Sequence, residues 1–272
     1  MPSPNEISVT QLSRLIGLPN SPVIIDVRTD ADFDQDPQLI PTAFRYPFNR
    51  VADLAPRLTA KKVVIYCQKG KKISHGATAL LQNQGIVVEY LCGGQFAWRD
   101  ANLPMVWSDK LPPFNRQNQT VWVTKHRPKI DRIACPWLIR RFIDPRAQFL
   151  FVAPAEVSAV ADKFGAAPFD IENVYWSHRG DKCTFDTLIE EFGIATPTLN
   201  RLAAIVRAAD TNCIDACPQA AGLLAASLGL SRMYKNDLEQ LDAGMALYDM
   251  FYRWARDAVT ETHDWQPTSA RV

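Results

Sequence analysis

The stretch Val63-Val64-Ile65-Tyr66-Cys67-Gln68-Lys69-Gly70-Lys71-Lys72-Ile73-Ser74-His75-Gly76 puts a cysteine where an apolar run gives way to a cationic loop. The four apolar residues read as a short buried strand. Ala77 to Leu81 read as the beginning of a helix. A thiol at such a turn sits among backbone N–H groups and near the positive end of a helix dipole, and both favour the thiolate. Lys69, Lys71 and Lys72 add positive charge, and Gly70 permits a tight turn. The same position suits a small apolar residue that ends a core strand. Residue types alone leave both readings open. His75, just past the loop, is either a proton-transfer group or a solvated residue at the helix start.

The elements that would position Cys67 come from the flanking sequence. Ser8 to Ile16 predicts a capped helix, with Ser8 or Thr10 as the cap. Pro22 to Arg28 predicts a buried strand that ends in charge, with Asp32 and Phe33 in the loop beyond it. The helix from Ala77 to Gln84 is stopped by Gly85, and Ile86 to Leu91 is another strand. Cys92-Gly93-Gly94 then leads into a short helix from Gln95 to Arg99. This alternation is that of a parallel α/β sheet. Ligands of such sheets bind beyond the carboxyl ends of the strands, where Asp26, Cys67 and Gly93 would gather. Cys92 reads as a buried thiol, with a resolving partner for Cys67 as the alternative.

Composition narrows the classes. Of 272 residues, 47% are hydrophobic and 22% charged, as in a soluble globular protein, and the net charge is +1. That balance gives no support for bulk nucleic-acid binding. No apolar run approaches membrane-spanning length, and the first residues lack the pattern of a signal peptide. The expected compartment is the cytoplasm, with the 6 cysteines as thiols rather than a disulfide framework.

The order Ile25-Asp26-Val27-Arg28, then Cys67 opening a six-residue loop, then Gly93-Gly94-Gln95-Phe96-Ala97-Trp98 and Leu103-Pro104, resembles a single rhodanese domain. The resemblance implies sulfur transfer. Cys67 would be the nucleophile that holds a sulfane sulfur as a persulfide. Gln68, Lys69, Gly70, Lys71, Lys72 and Ile73 would form the anion-binding loop, and Asp26 and Arg28 would position it or the site edge. The family often has arginine where this chain has Lys72, which keeps the charge but loses the bidentate fork. Gln38 to Ala43 also departs from the usual glycine-rich segment, a structural change.

Leu111 to Gln119 is rich in proline and amides and reads as a linker. Beyond it, strands are expected at Thr120–Thr124 and Gln148–Val152. Helices are expected at Asp131–Ile143, Ala155–Phe164, Thr184–Phe192, Thr198–Ala209, Gln219–Leu228 and Asp237–Val259. Pro136 suits the first of these only near its first turn. The blocks Lys129 to Pro145, His178 to Asp186 and Ile205 to Asp210 resemble the C-terminal domain of the chromate-resistance family ChrB. The resemblance implies a role in chromate resistance or sensing.

Within this region Arg132, Arg140 and Arg179, with Arg141, offer forked donors for a tetrahedral oxyanion; helix-end charges are the plainer reading. His178, Asp186 and Asp210 are candidate metal ligands, joined by Glu190, a set suited to iron, manganese or zinc. Cys183 precedes Thr184, a candidate N-cap, a placement that can lower a thiol pKa; a packed thiol is the alternative. Cys213 and Cys217 lack a second ligand pair for zinc.

The expectation is an α/β rhodanese-like parallel-sheet domain over 1–107, a linker over 108–119 and a mainly helical α+β ChrB-like domain over 120–272. The expected activity is sulfur transfer through a cysteine persulfide, from thiosulfate or a similar donor, in chromate resistance or stress. A chromate or sulfate sensor with an accessory rhodanese domain is one alternative, and a metal-dependent redox protein is another. The expected partners are a small-molecule sulfur donor and a thiol acceptor, with chromate or sulfate, and neither membrane nor nucleic acid. Sulfur transfer calls for no cofactor; the second domain is the place for Fe, Mn or Zn.

Overall fold

The runs at Val23–Asp26, Val63–Tyr66 and Val88–Leu91 are strand-length; the first two are almost wholly buried and the third buries its two ends, which suits a sheet covered on both faces. In the computed structural model, which describes residues 5–262, they form the centre of a five-stranded sheet. Its order is Glu6–Ile7, Val88–Leu91, Val63–Tyr66, Val23–Asp26, Phe44–Arg45, and every pairing is parallel. Asp26 stands beside Tyr66, so the carboxyl ends of the two central strands are level.

Side chains on a strand alternate between faces. Ile24, Val64 and Tyr66 point into one apolar cluster, and Ile25, Val27, Val63 and Ile65 into another. The first cluster is continuous with the core of the second half, including Trp122, Trp137, Phe142, Phe185 and Tyr248. The second cluster holds Cys67 and packs under the helix Lys72–Gln82 through Ala77 and Leu81. Cys67 therefore lies on the sheet face that does not contribute to the shared core.

The helix Val9–Leu15 begins at Ser8, whose hydroxyl accepts from Gln11 N–H while the Gln11 side chain accepts from Ser8 N–H. It packs on the shared-core side, Leu12 being fully buried. The backbone N–H of Thr42 donates to the carbonyl of Phe142 at 2.9 Å, and Arg256 donates to the carbonyl of Arg14 at 3.0 Å. The two halves are thus joined by hydrogen bonds as well as by apolar contact.

Three local expectations are corrected. The helix after Cys67 starts at Lys72, not Ala77, so it rises directly from the loop. Asp30–Asp34 is a short helix, capped by Thr29, where a loop was expected. Pro136 lies well inside the helix Asp131–Leu138 rather than in its first turn. Proline supplies no N–H for the ladder, and the chain widens into a π-helical turn over Ile139–Ile143.

The stretch 108–119 holds a single 3₁₀ turn, Ser108–Lys110, and is fastened at both ends. Val106–Trp107 pairs antiparallel with Gln38–Leu39, and Phe114 bridges to Thr120. The second half holds a small parallel sheet in the order Ala167–Pro168, Val121–Lys125, Gln148–Val152. Around it stand the helices Val157–Phe164, Thr184–Phe192, Pro197–Asp210, Pro218–Met233 and Asp237–Asp257. No helix among the described residues is long and apolar enough to cross a membrane.

Candidate functional site

Cys67 follows the central strand directly and is 5% exposed. Its loop is closed by the first turn of the helix Gly94–Asp100: Gln95 N–H donates to the Cys67 carbonyl and Phe96 N–H to the Gln68 carbonyl, each at 3.0 Å. Gly70 has φ +61°, and a Cβ there would lie 2.6 Å from the Gly94 nitrogen and 2.8 Å from the Gly93 nitrogen. The loop therefore lies backbone against backbone on the glycine turn. Behind it the helix Lys72–Gln82 starts at Lys71 with no side-chain cap. Its first-turn amides have no carbonyl partners within the helix and remain donors for an anion. Lys69, Lys71 and Lys72 are exposed, so three cations ring the loop.

Asp26 and Arg28 do not serve as anion-binding groups. Their side chains are fully buried, and the guanidinium donates to the Asp26 carboxylate at 2.6–3.1 Å and to the carbonyls of Asp36 and Gln38. Its donor directions are consumed inside the protein, so the pair holds the Asp36–Gln38 segment to the sheet. Gln95, also fully buried, donates to Asp36 at 2.6 Å and extends this support to the glycine turn. His75 is exposed, with its ring 4.2 Å from that of Tyr90. Cys92 is exposed rather than buried, and hydrogen bonding to Glu6 raises its pKa.

A cavity of about 500 Å³ lies away from Cys67. It lies between the two halves, with Arg45, Arg57, Lys61, Arg140, Arg141 and Arg146 among its lining residues.

In the second half the candidate oxyanion arginines do not converge. Arg132 pairs with Asp170, Arg140 with Asp242 and Arg179 with Glu191. Arg141 makes a two-pronged pair with Asp249, 2.8 Å on each side. The three arginines serve three different carboxylates, so they do not form one oxyanion pocket.

The metal-ligand candidates are rearranged as well. His178 and Asp210 meet, with Nε2 3.3 Å from Oδ2. Asp186 instead accepts from Arg207, from Cys183 N–H and from the Cys183 thiol, and takes no part. Glu190 pairs with Lys182. In place of Asp186 stand Asp131, 3.5 Å from the same nitrogen, and Asp170 at 3.3 Å. The facing carboxylates of Asp131, Asp170 and Asp210 push the His178 pKa up to about 12. Burial raises Asp131 to about 7, with Asp170 and Asp210 adding to the rise.

Asp131 and Asp170 were not singled out from the sequence. Asp131 opens a helix, an ordinary place for an acid. Asp170 has φ +52°, a conformation uncommon outside glycine, and sequence spacing does not announce it. Cys183, not Thr184, is the residue before the helix, and burial raises its thiol pKa rather than lowering it. Cys213 and Cys217 are free thiols.

Residues 8–101 match the rhodanese-like domain, and residues 122–255 match the C-terminal domain of ChrB. The chain joins a rhodanese-like domain to a ChrB C-terminal domain. Protein ChrB of Cupriavidus metallidurans is 33% identical over 132 residues, which is 48% of this chain and 39% of that protein. The chain thus spans about two fifths of that relative's length. Among solved structures, a rhodanese-like domain protein from Staphylococcus aureus is 28% identical, covering 35% of this chain and 90% of that one, with a TM-score of 0.30. A Bacillus halodurans protein is 28% identical over 37% of this chain and 74% of its own, with a TM-score of 0.33. The rhodanese-like domain carries the Cys67 loop, and the ChrB domain carries the His178 cluster.

Proposed function

We propose that the chain is a sulfurtransferase that works through a persulfide on Cys67. The observation that carries this reading is the closure of the Cys67 loop on the Gly93–Gly94 turn, in front of an uncapped helix start. Such a cradle holds a negatively charged sulfur without a counter-ion of its own.

In the first half-reaction the Cys67 thiolate attacks the outer sulfur of thiosulfate or a related donor. The donor S–S bond breaks, sulfite leaves with the bonding pair, and Cys67 carries the sulfane sulfur. In the second, an acceptor thiolate attacks that sulfur and the thiolate of Cys67 returns. Neither step needs an external oxidant or reductant. The lysines supply a diffuse positive field for an anionic donor rather than a fitted fork. A link to chromate or oxidative stress follows from the ChrB relationship and belongs to the same proposal.

The test is mass spectrometry of the protein after thiosulfate treatment. One added sulfur on the Cys67 peptide is expected, removed by cyanide and absent in Cys67→Ser. Turnover that survives in Cys67→Ser would sink the mechanism.

A further inference from the structure

We propose that Asp131, Asp170 and His178 of the ChrB domain, with Asp210 beside them, hold a divalent cation of the Mn²⁺, Fe²⁺ or Zn²⁺ class. The four come from separate places in the chain. Asp131 opens one helix, Asp210 closes another, Asp170 follows the small edge strand, and His178 lies in the loop before the helix Thr184–Phe192. Folding brings one ligand atom from each of Asp131, Asp170 and His178 within 4.8 Å of the others.

The distances are unlike those of a hydrogen-bonded ion pair. Three carboxylate oxygens stand 3.3, 3.3 and 3.5 Å from the single nitrogen Nε2 of His178. One N–H can make one good charge-assisted bond, at about 2.8 Å. Ligand atoms bonded at about 2.1 Å to a common tetrahedral centre lie about 3.4 Å apart. The observed spacing is that of a coordination edge.

Asp131 supplies an independent observation. Its side chain is fully buried, and Oδ1 has no hydrogen-bond partner. A buried carboxylate oxygen without a partner is costly, and a cation beside it removes the cost. Outer groups already hold the carboxylates in place. Thr184 N–H donates to Asp131 at 2.6 Å, the Thr184 hydroxyl donates to Asp170 at 2.9 Å, and Arg132 pairs with the far side of Asp170 at 3.3 Å. This is the support that ligating side chains need. His178 is 41% exposed, so the site opens to solvent. One imidazole among carboxylates favours a hard or borderline metal over Cu⁺ or an iron–sulfur centre.

The site is independent of Cys67, and its test does not depend on sulfur transfer. The full chain, produced without a histidine tag and stripped with chelator, is titrated with Mn²⁺ and, separately, with Zn²⁺. One equivalent of at least one metal should bind and raise the unfolding temperature. His178→Gln, at a half-exposed position, should weaken binding more than about a hundredfold, beyond the loss typical of an outer group. Asp170→Asn should do the same, and Asp131→Asn is read only if it folds. The proposal is overturned if the stripped protein binds neither metal, or if His178→Gln binds as well as the parent. In either case the cluster is an imidazolium held by carboxylates.

Discussion

Gly94 rests directly on the backbone of Gly70, and the contact seats the loop of Cys67. A Cβ on Gly94 would overlap the Cys67 carbonyl oxygen and the Gly70 nitrogen, and the residue has φ +61°. Gly94→Ala should therefore displace the loop as well as strain the turn. The left-handed conformation alone costs about 1–2 kcal/mol for alanine. Thiosulfate-dependent turnover is expected to drop more than about tenfold, since misplacement by an ångström has large kinetic effects. Steady-state rates with a parallel urea titration separate the two effects. Unchanged turnover would mean that the loop does not need this seat.

The lysines should act through charge rather than fit. Among the described residues, no ion pair involves Lys69, Lys71 or Lys72. Lys72→Ala should raise KM for an anionic sulfur donor by roughly three- to tenfold and leave kcat nearly unchanged. The difference should shrink as salt is added, because screening shortens the reach of exposed charge. A salt series of initial rates checks this.

Arg28 should matter for folding. Its guanidinium is buried with Asp26, and Arg28→Ala leaves that carboxylate uncompensated. The expected loss is about 3–5 kcal/mol. Denaturant unfolding should show an early midpoint, and whatever protein remains folded should still take up sulfur on Cys67.

Glu191 ties the linker to the ChrB domain. It accepts from Tyr175 and Arg179 and pairs with Lys110 at 3.4 Å, and these contacts lower its pKa to about 2. A carboxylate whose folded pKa lies below its unfolded value adds stability that is complete above the unfolded value, near 4.5, and is lost as pH falls through about 2. Glu191→Gln should destabilise the protein by about 1 kcal/mol at pH 7, a figure reduced for solvent screening. The gap should close near pH 2. Thermal unfolding across that range tests the sign.

Much of the N-terminal architecture was legible because its signals are local. Val23–Asp26, Val63–Tyr66 and Val88–Leu91 are short apolar runs, and Gly85 and Gly93 punctuate them. The helices Thr184–Phe192, Pro197–Asp210 and Asp237–Asp257 follow from apolar periodicity and caps in the same way. The strand Ala167–Pro168 was missed because two residues carry no period. The start of the helix at Lys72 was missed because its first turn, Lys72 to His75, carries a single apolar residue, too few to show a period.

The amino-acid order by itself determined the two-part organisation, the parallel sheet and the position of Cys67 at the end of its central strand. Those depend on periodicity, punctuation and composition, which act over a few residues. Only the tertiary structure decided which polar groups meet. Arg28 turned inward to Asp26, and Arg132, Arg140 and Arg179 went to three separate carboxylates. Asp186 was taken by Arg207, while Asp131 and Asp170 joined His178. Ion pairs and ligand sets are made across long loops, and no local pattern records which buried charge will need which partner.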